Sequence, residues 1–283
     1  MATSFETYLT REQLATSSIR EHLATLERFR LWTQKEQLDE EQLNYRDLLA
    51  WVQQAQKRGL KKQTLNQQLG SLTKYYNHLI EAGARADNPA KKLRIKTEKR
   101  TLQYDLFKPE ELDELYQAYK TRNHQGRPSD KQAHNRGKII LSLTIHQAIR
   151  PPELRNLEAQ DINYDKGEIY LPGTKRSNSR TVKLHPGQIM PLYEFTNGKS
   201  GQLIEGRIND HCQRLQKQLT KHSEKFTSLQ QIRASVITHW IKQHGLREAQ
   251  YKAGHKHISS TEHYRHYDIE SLQNALNKYH PLS

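Results

Sequence analysis

The fold of this chain is decided by residues 230–267, which run QQIRASVITHWIKQHGLREAQYKAGHKHISSTEHYRHY. The first part of this stretch predicts an amphipathic helix, because its apolar residues recur at helical spacing. These residues are Ile232, Val236, Ile237, Trp240 and Ile241. Arg233 lies among them, where a guanidinium is costly to bury unless another group pairs with it. The helix therefore carries a charge that needs a partner.

The second part of the stretch predicts a short turn, a second helix and a corner at Gly254-His255. Tyr264 follows His255 by nine residues, after an Ile-Ser-Ser-Thr run that begins at Ile258. An arginine on a helix, a histidine after a glycine and a tyrosine beyond it indicate a phosphate site with a tyrosine nucleophile. The alternative is an ordinary helical region with a buried tyrosine and an arginine paired at the surface.

These residues resemble the C-terminal signature of the tyrosine recombinases, the phage integrase family. The family pattern is an arginine in a helix, a Leu-Gly-His corner and an Ile-Ser-Thr-Thr-x-x-Tyr-x-His run. The matching residues here are Ile232-Arg233, Ala253-Gly254-His255 and the run from Ile258 to His266. The resemblance extends over nearly the whole chain and implies a minimal, two-domain recombinase of the Xer/Cre type.

Composition is consistent with a protein that binds nucleic acid. The chain has 283 residues, with 45 Lys and Arg against 31 Asp and Glu, a net charge of +14. So basic a balance favours a polyanionic partner, nucleic acid before membrane, although a basic protein without a ligand is the alternative. The mean hydropathy of −0.98 leaves no apolar run that could span a bilayer.

The compartment is predicted from the N-terminus and from cysteine usage. The N-terminal MATSFETYL lacks the basic start and apolar core of a signal peptide. The single cysteine, Cys212, excludes an intramolecular disulfide and a thiolate zinc cluster. We therefore expect a cytoplasmic protein without metal or cofactor, since the histidines also lack metal-ligand spacing.

The predicted fold class is mainly α (α+β), in two domains. A helical core-binding domain is expected over residues 1–93 and a basic linker over 94–105. A mostly helical catalytic domain with a small antiparallel β-sheet is expected over 106–283. The run AKKLRIKTEKR, residues 90–100, is predicted to be too charged to pack and to let the domains close as a clamp on DNA.

In the first domain, hydrophobic spacing predicts a helix capped by Ser17-Ser18, a helix over 46–57 that buries Leu48, Leu49 and Val52, and a helix over 62–81. The polar face of the third helix is similar to the DNA-facing surface of the family, with a solvated face as the alternative. Its candidate contacts to phosphates and base edges are Lys61, Lys62, Gln63, Asn66, Gln67 and Lys74.

In the second domain a loop is predicted over 121–135, followed by an apolar helix that ends near Arg150. Arg150 and Glu153 match the first box of the family. A hairpin is predicted from strands 168–171 and 180–184, and Lys175 in its loop matches the family's lysine. Arg176 is expected to contact backbone phosphates. The tail, 268–283, has an apolar stripe that docks on a neighbouring subunit or on its own domain.

The resemblance implies the chemistry. Arg150 and Arg233 would hold the nonbridging oxygens of a phosphodiester, because their charge is permanent and their donors are forked. Tyr264 would attack phosphorus, forming a 3′-phosphotyrosine and releasing a 5′-hydroxyl. Lys175 is the candidate general acid for that leaving oxygen. His255 would bind a nonbridging oxygen or assist proton transfer.

One departure from the family pattern bears on the chemistry. Gln230 stands three residues before Arg233, where the family usually has histidine. Glutamine donates a hydrogen bond but does not shuttle a proton at neutral pH.

The implied function is site-specific recombination of double-stranded DNA with specific core sites. It would proceed through a Holliday junction by a homotetramer on DNA, with a monomer or dimer possible when free. The alternatives are a type IB topoisomerase-like enzyme and a site-specific DNA-binding protein that has lost catalysis.

Overall fold

The computed structural model describes residues 4–96, 105–120 and 128–265. The chain divides into two compact units, Met1–Thr101 and Leu102–Ser283. Helices dominate both units, and the second unit contains a small antiparallel sheet. The predicted fold class is therefore confirmed. None of the helices within the described residues is long and apolar enough to cross a membrane.

The first unit is a group of helices: α1 (Phe5–Arg11), α2 (Thr16–Lys35), α3 (Tyr45–Lys57) and α4 (Lys62–Glu81). The bounds predicted for α3 and α4 agree with these to within a residue. The predicted Ser17-Ser18 cap of α2 is wrong, because the helix already begins at Thr16, with Ala15 as N-cap. Ala15 has no side chain that could cap, and both serines lie inside the first turn.

Helix α3 shows how local sequence places a helix and its buried face. Asn44 caps it by accepting from the N–H groups of Arg46 and Asp47, and the Asp47 carboxylate accepts from the Asn44 N–H. Leu48 and Val52 are buried as predicted, but Leu49 is 37% exposed. Trp51 takes the expected place of Leu49 because positions i, i+3 and i+4 share one side of a helix.

The segment after α4 packs more than its charge predicts. Leu93 is buried, and Ile95 packs against the same core. The Asn66 side chain also holds Ile95, donating to its carbonyl at 2.8 Å and accepting from its N–H at 2.9 Å. The prediction that 90–100 is too charged to pack is therefore wrong for its first half, because apolar residues alternate with the lysines there. Residues 97–100 lie outside the described residues.

The second unit is also built mainly of helices, which pack around one core. In chain order they are α5 (Pro109–Lys120), α6 (Pro128–Gln147), α7 (Pro151–Asn156), α8 (Pro186–Thr196), α9 (Ile208–Leu219), α10 (Leu229–Ala253) and α11 (258–265). Helix α6 begins at Pro128, so the predicted loop over 121–135 is wrong from 128 onward. Proline in the first turn and Asp130 near the N-terminus both favour that start.

The sheet has three antiparallel strands in the order β1 (Ile162–Asn163), β2 (Glu168–Leu171) and β3 (Arg180–Lys183). The predicted hairpin is confirmed, with Ile169 opposite Val182 and Leu171 opposite Arg180. Strand β1 has only two residues, too few to show a period of alternation in the sequence.

The core of the second unit surrounds α6 and places the ends of several elements close together. Ile140, Leu141 and Leu143 on α6 are fully buried, and α10 and α9 pack against this helix. Helix α10 is interrupted at Gly245, where φ is 79° and ψ is 174°, at the position of the predicted turn. The predicted docking tail, 268–283, lies outside the described residues.

Candidate active site

Arg233 enters the core from the first half of α10 and is 2% exposed. Its guanidinium donates to the Ala148 carbonyl through Nη1 and to the Ala253 carbonyl through Nη2 at 2.8 Å. Burial, followed by the charge of Arg150, lowers the pKa of Arg233 to about 10, and Glu153 opposes this shift. The guanidinium stays charged at neutral pH, held between two backbone carbonyls from different parts of the chain.

Arg150 stands at the N-cap of α7, just after a tight turn in which Ala148 has a φ of 47°. Its backbone N–H donates to Glu153 Oε2 at 2.9 Å, and its Nη2 donates to the Arg176 carbonyl at 3.3 Å. Two prolines fix the backbone immediately after it. Because its side chain is 23% exposed, Arg150 can meet a ligand from solvent, whereas Arg233 is almost covered.

Glu153 is buried and paired with Arg180, a residue whose sequence context indicates only the start of a strand. Arg180 Nη1 lies 2.8 Å from Glu153 Oε1, and both side chains are fully covered. Burial alone raises the pKa of the Glu153 carboxyl, but the hydrogen bond and charge of Arg180 outweigh it and lower the pKa to about 2. The only signal in the sequence is an arginine at an inward-facing strand position.

His255 follows Gly254, the C-cap of α10, which has a φ of 67°. Its Nε2 lies 3.2 Å from Arg233 Nη2, and its Nδ1 lies 2.8 Å from Thr261 Oγ1. A guanidinium only donates, so Nε2 accepts and Nδ1–H donates to the threonine. Burial, then the charges of Arg233 and Arg150, lower the pKa of His255 to about 3. The imidazole is therefore neutral, in one defined tautomer.

Tyr264 on α11 lies against this group and is 7% exposed. Its ring stacks on His255 with centroids 5.8 Å apart and an interplanar angle of 12°. The Tyr264 hydroxyl accepts from Gln230 Nε2 at 3.3 Å. Gln230 itself is exposed, on the first turn of α10.

A cleft of about 210 Å³ borders three of the predicted site residues. Arg150, Gln230 and Arg233 provide charged and polar side chains in its wall. The remaining lining is mostly apolar and includes Ile149, Leu154, Leu229 and Cys212. The structure therefore brings five of the predicted site residues to one place, although they come from three separate parts of the chain.

Lys175 lies at the tip of the hairpin loop and is exposed. The loop closes tightly around it, because Thr174 and Ser177 exchange backbone hydrogen bonds of 3.0 and 3.2 Å. The next residue, Arg176, is also exposed, and its carbonyl is the one that accepts from Arg150. The loop that carries Lys175 is thus attached to Arg150 through the carbonyl of Arg176, the residue after the lysine.

The predicted DNA-contacting residues on α4 have different environments. Lys61, Lys62, Gln63 and Gln67 are exposed, whereas Lys74 is half-buried with Nζ 3.6 Å from Glu12 Oε2. Asn66 uses both ends of its amide on the backbone of Ile95. The amide of Asn66 thus has partners within its own unit, and its role in reading base edges stays a prediction.

Clusters of metal-ligating side chains are absent from the described parts of the chain. Within residues 4–96, 105–120 and 128–265, no three His, Cys, Asp or Glu side chains are grouped so that they could hold a metal ion.

Two family models match the chain. The phage integrase N-terminal SAM-like domain matches residues 2–83, and the phage integrase family matches residues 106–270. The chain is 24% identical over 252 residues to the tyrosine recombinase XerC of Vibrio cholerae, covering 82% of this chain and 77% of the relative.

Solved structures show the same fold at low sequence identity. One is the XerH site-specific recombinase bound to a palindromic difH substrate, with a TM-score of 0.69, 17% identity and coverage of 91% of this chain and 78% of that one. Another is a lambda integrase dimer bound to a COC′ core site, with a TM-score of 0.68, 15% identity and coverage of 92% and 75%. The family resemblance of the sequence is confirmed, and the chain belongs to the phage integrase family, the tyrosine recombinases.

Proposed function

We propose that this chain is a site-specific DNA recombinase in which Tyr264 cleaves a DNA strand and Arg150 and Arg233 hold the scissile phosphate. The observation that supports this most strongly is the hydrogen bond of the Tyr264 hydroxyl to Gln230, a residue that lines a cleft together with both arginines. A phosphodiester bound beside Gln230 would meet two permanent charges and one nucleophile. The net charge of +14 favours such a polyanionic substrate.

In the cleavage step the Tyr264 oxygen forms a bond to phosphorus while the bond from phosphorus to the 5′-oxygen breaks. The arginines stabilise the charge that develops on the nonbridging oxygens. The phenol gives its proton to His255, and the leaving 5′-oxygen takes one from Lys175, the general acid of this proposal. Because the phosphotyrosine keeps the phosphodiester linkage, a free 5′-hydroxyl can reverse the step and rejoin the strand.

Gln230 and His255 have different parts in this scheme. Gln230 fixes the phenol by its hydrogen bond but cannot accept the proton. His255 is neutral, and its Nε2 lone pair is occupied by Arg233. A phosphate oxygen that engages Arg233 Nη2 would release this lone pair, which is then the basic group next to the stacked phenol. Gln230 therefore makes no contribution to the pH dependence of cleavage.

The wider assembly is also part of the proposal. We infer a duplex with specific core sites as substrate, four protomers on two such sites and strand exchange through a Holliday junction, all in the cytoplasm. The XerH structure holds a palindromic difH substrate and the lambda integrase structure holds a core site, which supports DNA as the partner. Exposed Lys61, Lys62, Gln63 and Gln67 on α4, and Arg176 on the hairpin, would contact the DNA backbone or bases.

Covalent capture tests the proposal and does not require a known target sequence. A library of nicked duplexes with random cores is incubated with the protein, washed under denaturing conditions, and the retained DNA is sequenced. We expect one enriched sequence attached through a 3′-phosphate to Tyr264. Tyr264→Phe should retain none, whereas Tyr170→Phe, which changes an exposed tyrosine of the same unit, should match the native protein.

The same experiment distinguishes the other functions. Adducts on many unrelated sequences, together with relaxation of a supercoiled plasmid, would indicate a topoisomerase. Sequence-specific binding in a gel-shift assay without any adduct would indicate a DNA-binding protein that has lost catalysis.

A further inference from the structure

Arg180 is a buried charge that the proposed chemistry leaves without a role. It begins β3, five residues after Lys175, and its side chain is completely covered. A fully buried arginine is costly unless each donor is engaged. Its Nη1 and Nη2 donate to the two Glu153 oxygens at 2.8 and 3.3 Å, and its Nε donates to the Lys252 carbonyl at 2.7 Å.

These contacts join three segments that carry the proposed site. Glu153 accepts from the Arg150 N–H, so the ion pair reaches the exposed phosphate-binding arginine. Lys252 lies two residues before Gly254, at the Gly254-His255 corner. Arg180 itself terminates the hairpin loop. One guanidinium therefore fixes the relative positions of the Arg150 turn, the histidine corner and the loop.

The end of the loop that Arg180 terminates also docks on the corner. The Asn178 N–H donates to the Gly254 carbonyl at 3.0 Å, and Ser177 pairs with His255 in a short antiparallel bridge. A Cβ on Gly254 would collide with Arg180 Nη1, so the guanidinium packs directly on the glycine. Arg180 and the end of the loop therefore pack on the same corner.

Between this docked end and Lys175 the loop has little freedom. Thr174 and Ser177 close a tight turn with two backbone hydrogen bonds and a contact of 2.8 Å between their hydroxyl oxygens. Lys175 and Arg176 form the tip of that turn. The contact of Ser177 with His255 thus sets the position of the turn that carries Lys175, and this turn ends three residues before Arg180.

We propose that Arg180 is a positioning residue for strand cleavage, which places the turn that carries Lys175 so that the lysine can protonate the leaving 5′-oxygen. This inference rests on the proposed role of Lys175 as general acid. Arg180 acts through the loop and does not touch the DNA. Its loss should therefore impair leaving-group protonation more than DNA binding.

The test uses the duplex recovered by covalent capture, made with either the normal 5′-oxygen or a bridging 5′-sulfur at the scissile phosphate. A thiolate leaves without being protonated, because a thiol is far more acidic than an alcohol, with a pKa of about 8.5 for cysteine. The variant Arg180→Lys keeps the charge and loses the fork. Arg155→Lys, at an exposed arginine of the same unit, is the matched control.

We expect Arg180→Lys to cleave the oxygen substrate about 100-fold more slowly, as for loss of a general acid. It should cleave the sulfur substrate within about threefold of the native rate, and Lys175→Ala should behave in the same way. Equal losses on both substrates, or no loss on the oxygen substrate, would overturn the proposal. Adduct formation by the native protein and its absence in Tyr264→Phe test the proposed function separately.

A second variant distinguishes a positioning role of Arg180 from a loss of folding. Glu153→Gln with Arg180→Met replaces the buried ion pair by neutral side chains of similar size, a change that buried pairs often tolerate. We expect a melting temperature near that of the native protein, with cleavage of the oxygen substrate still reduced and the sulfur substrate still cleaved. Native rates on the oxygen substrate in this double variant would contradict a positioning role.

Discussion

The neutral His255 predicts that the second unit loses stability as the pH falls from about 7 to about 5. Burial and three arginines lower the pKa of this imidazole to about 3 in the folded protein, whereas the unfolded value is the ordinary one of 6.5. Between these values the unfolded state binds a proton that the folded state does not. Stability must therefore fall as the pH falls below the unfolded pKa.

The size of the effect follows from the same two pKa values. One proton taken up only by the unfolded chain costs about 1.4 kcal/mol for each pH unit below its pKa. From the unfolded pKa down to about pH 5 this amounts to about 2 kcal/mol. The pKa of His146 is also lowered, to about 4 by burial and by His185, and adds a loss of the same sign. A substitution at His255 alone isolates the first contribution.

The assay compares the native protein with His255→Gln. Urea unfolding at about pH 7 and pH 5 is followed by Trp240 fluorescence, in a background with Trp32→Phe and Trp51→Phe, so that only the second unit reports. We expect the native free energy of unfolding to fall by about 2 kcal/mol more than that of the variant.

The exposed His257, on the same corner, supplies the control, and His257→Gln should retain the native pH dependence. Parallel losses in the native protein and in His255→Gln would refute the neutral, buried state of His255.

Other substitutions test the corner, the first unit and the DNA-binding surface. Gly254→Ala should abolish adduct formation, because a Cβ there collides with Arg180, whereas Gly167→Ala, which has similar positive φ and open space, should lower only the melting temperature. Asn66→Ala should destabilise the first unit by about 1–3 kcal/mol in urea unfolding, since it leaves the Ile95 backbone without its partners. Lys62→Ala should weaken DNA binding and reduce the slope of log affinity against log salt by about 0.9.

Elements with a regular period and residues with a chemical signature could be recognised from the amino-acid sequence. Helix α4 agrees with its predicted bounds because apolar residues recur along its whole length. The hairpin was recognisable from alternation and from its turn residues. The arginine, histidine and tyrosine of the site could be identified because their order and spacing match a family pattern.

The hydrogen-bond and ion-pair partners of the buried charged and polar groups could be identified only from the tertiary structure. Local pattern predicts Leu49 in the core, but neighbouring elements leave Leu49 exposed and give Asn66 the backbone of Ile95 as a partner. The partner of Glu153 could not be identified from the sequence, because Arg180 lies 27 residues away and meets it only when the hairpin folds back. Periodicity is a property of neighbouring residues, whereas the pairing of a buried charge depends on where distant segments meet.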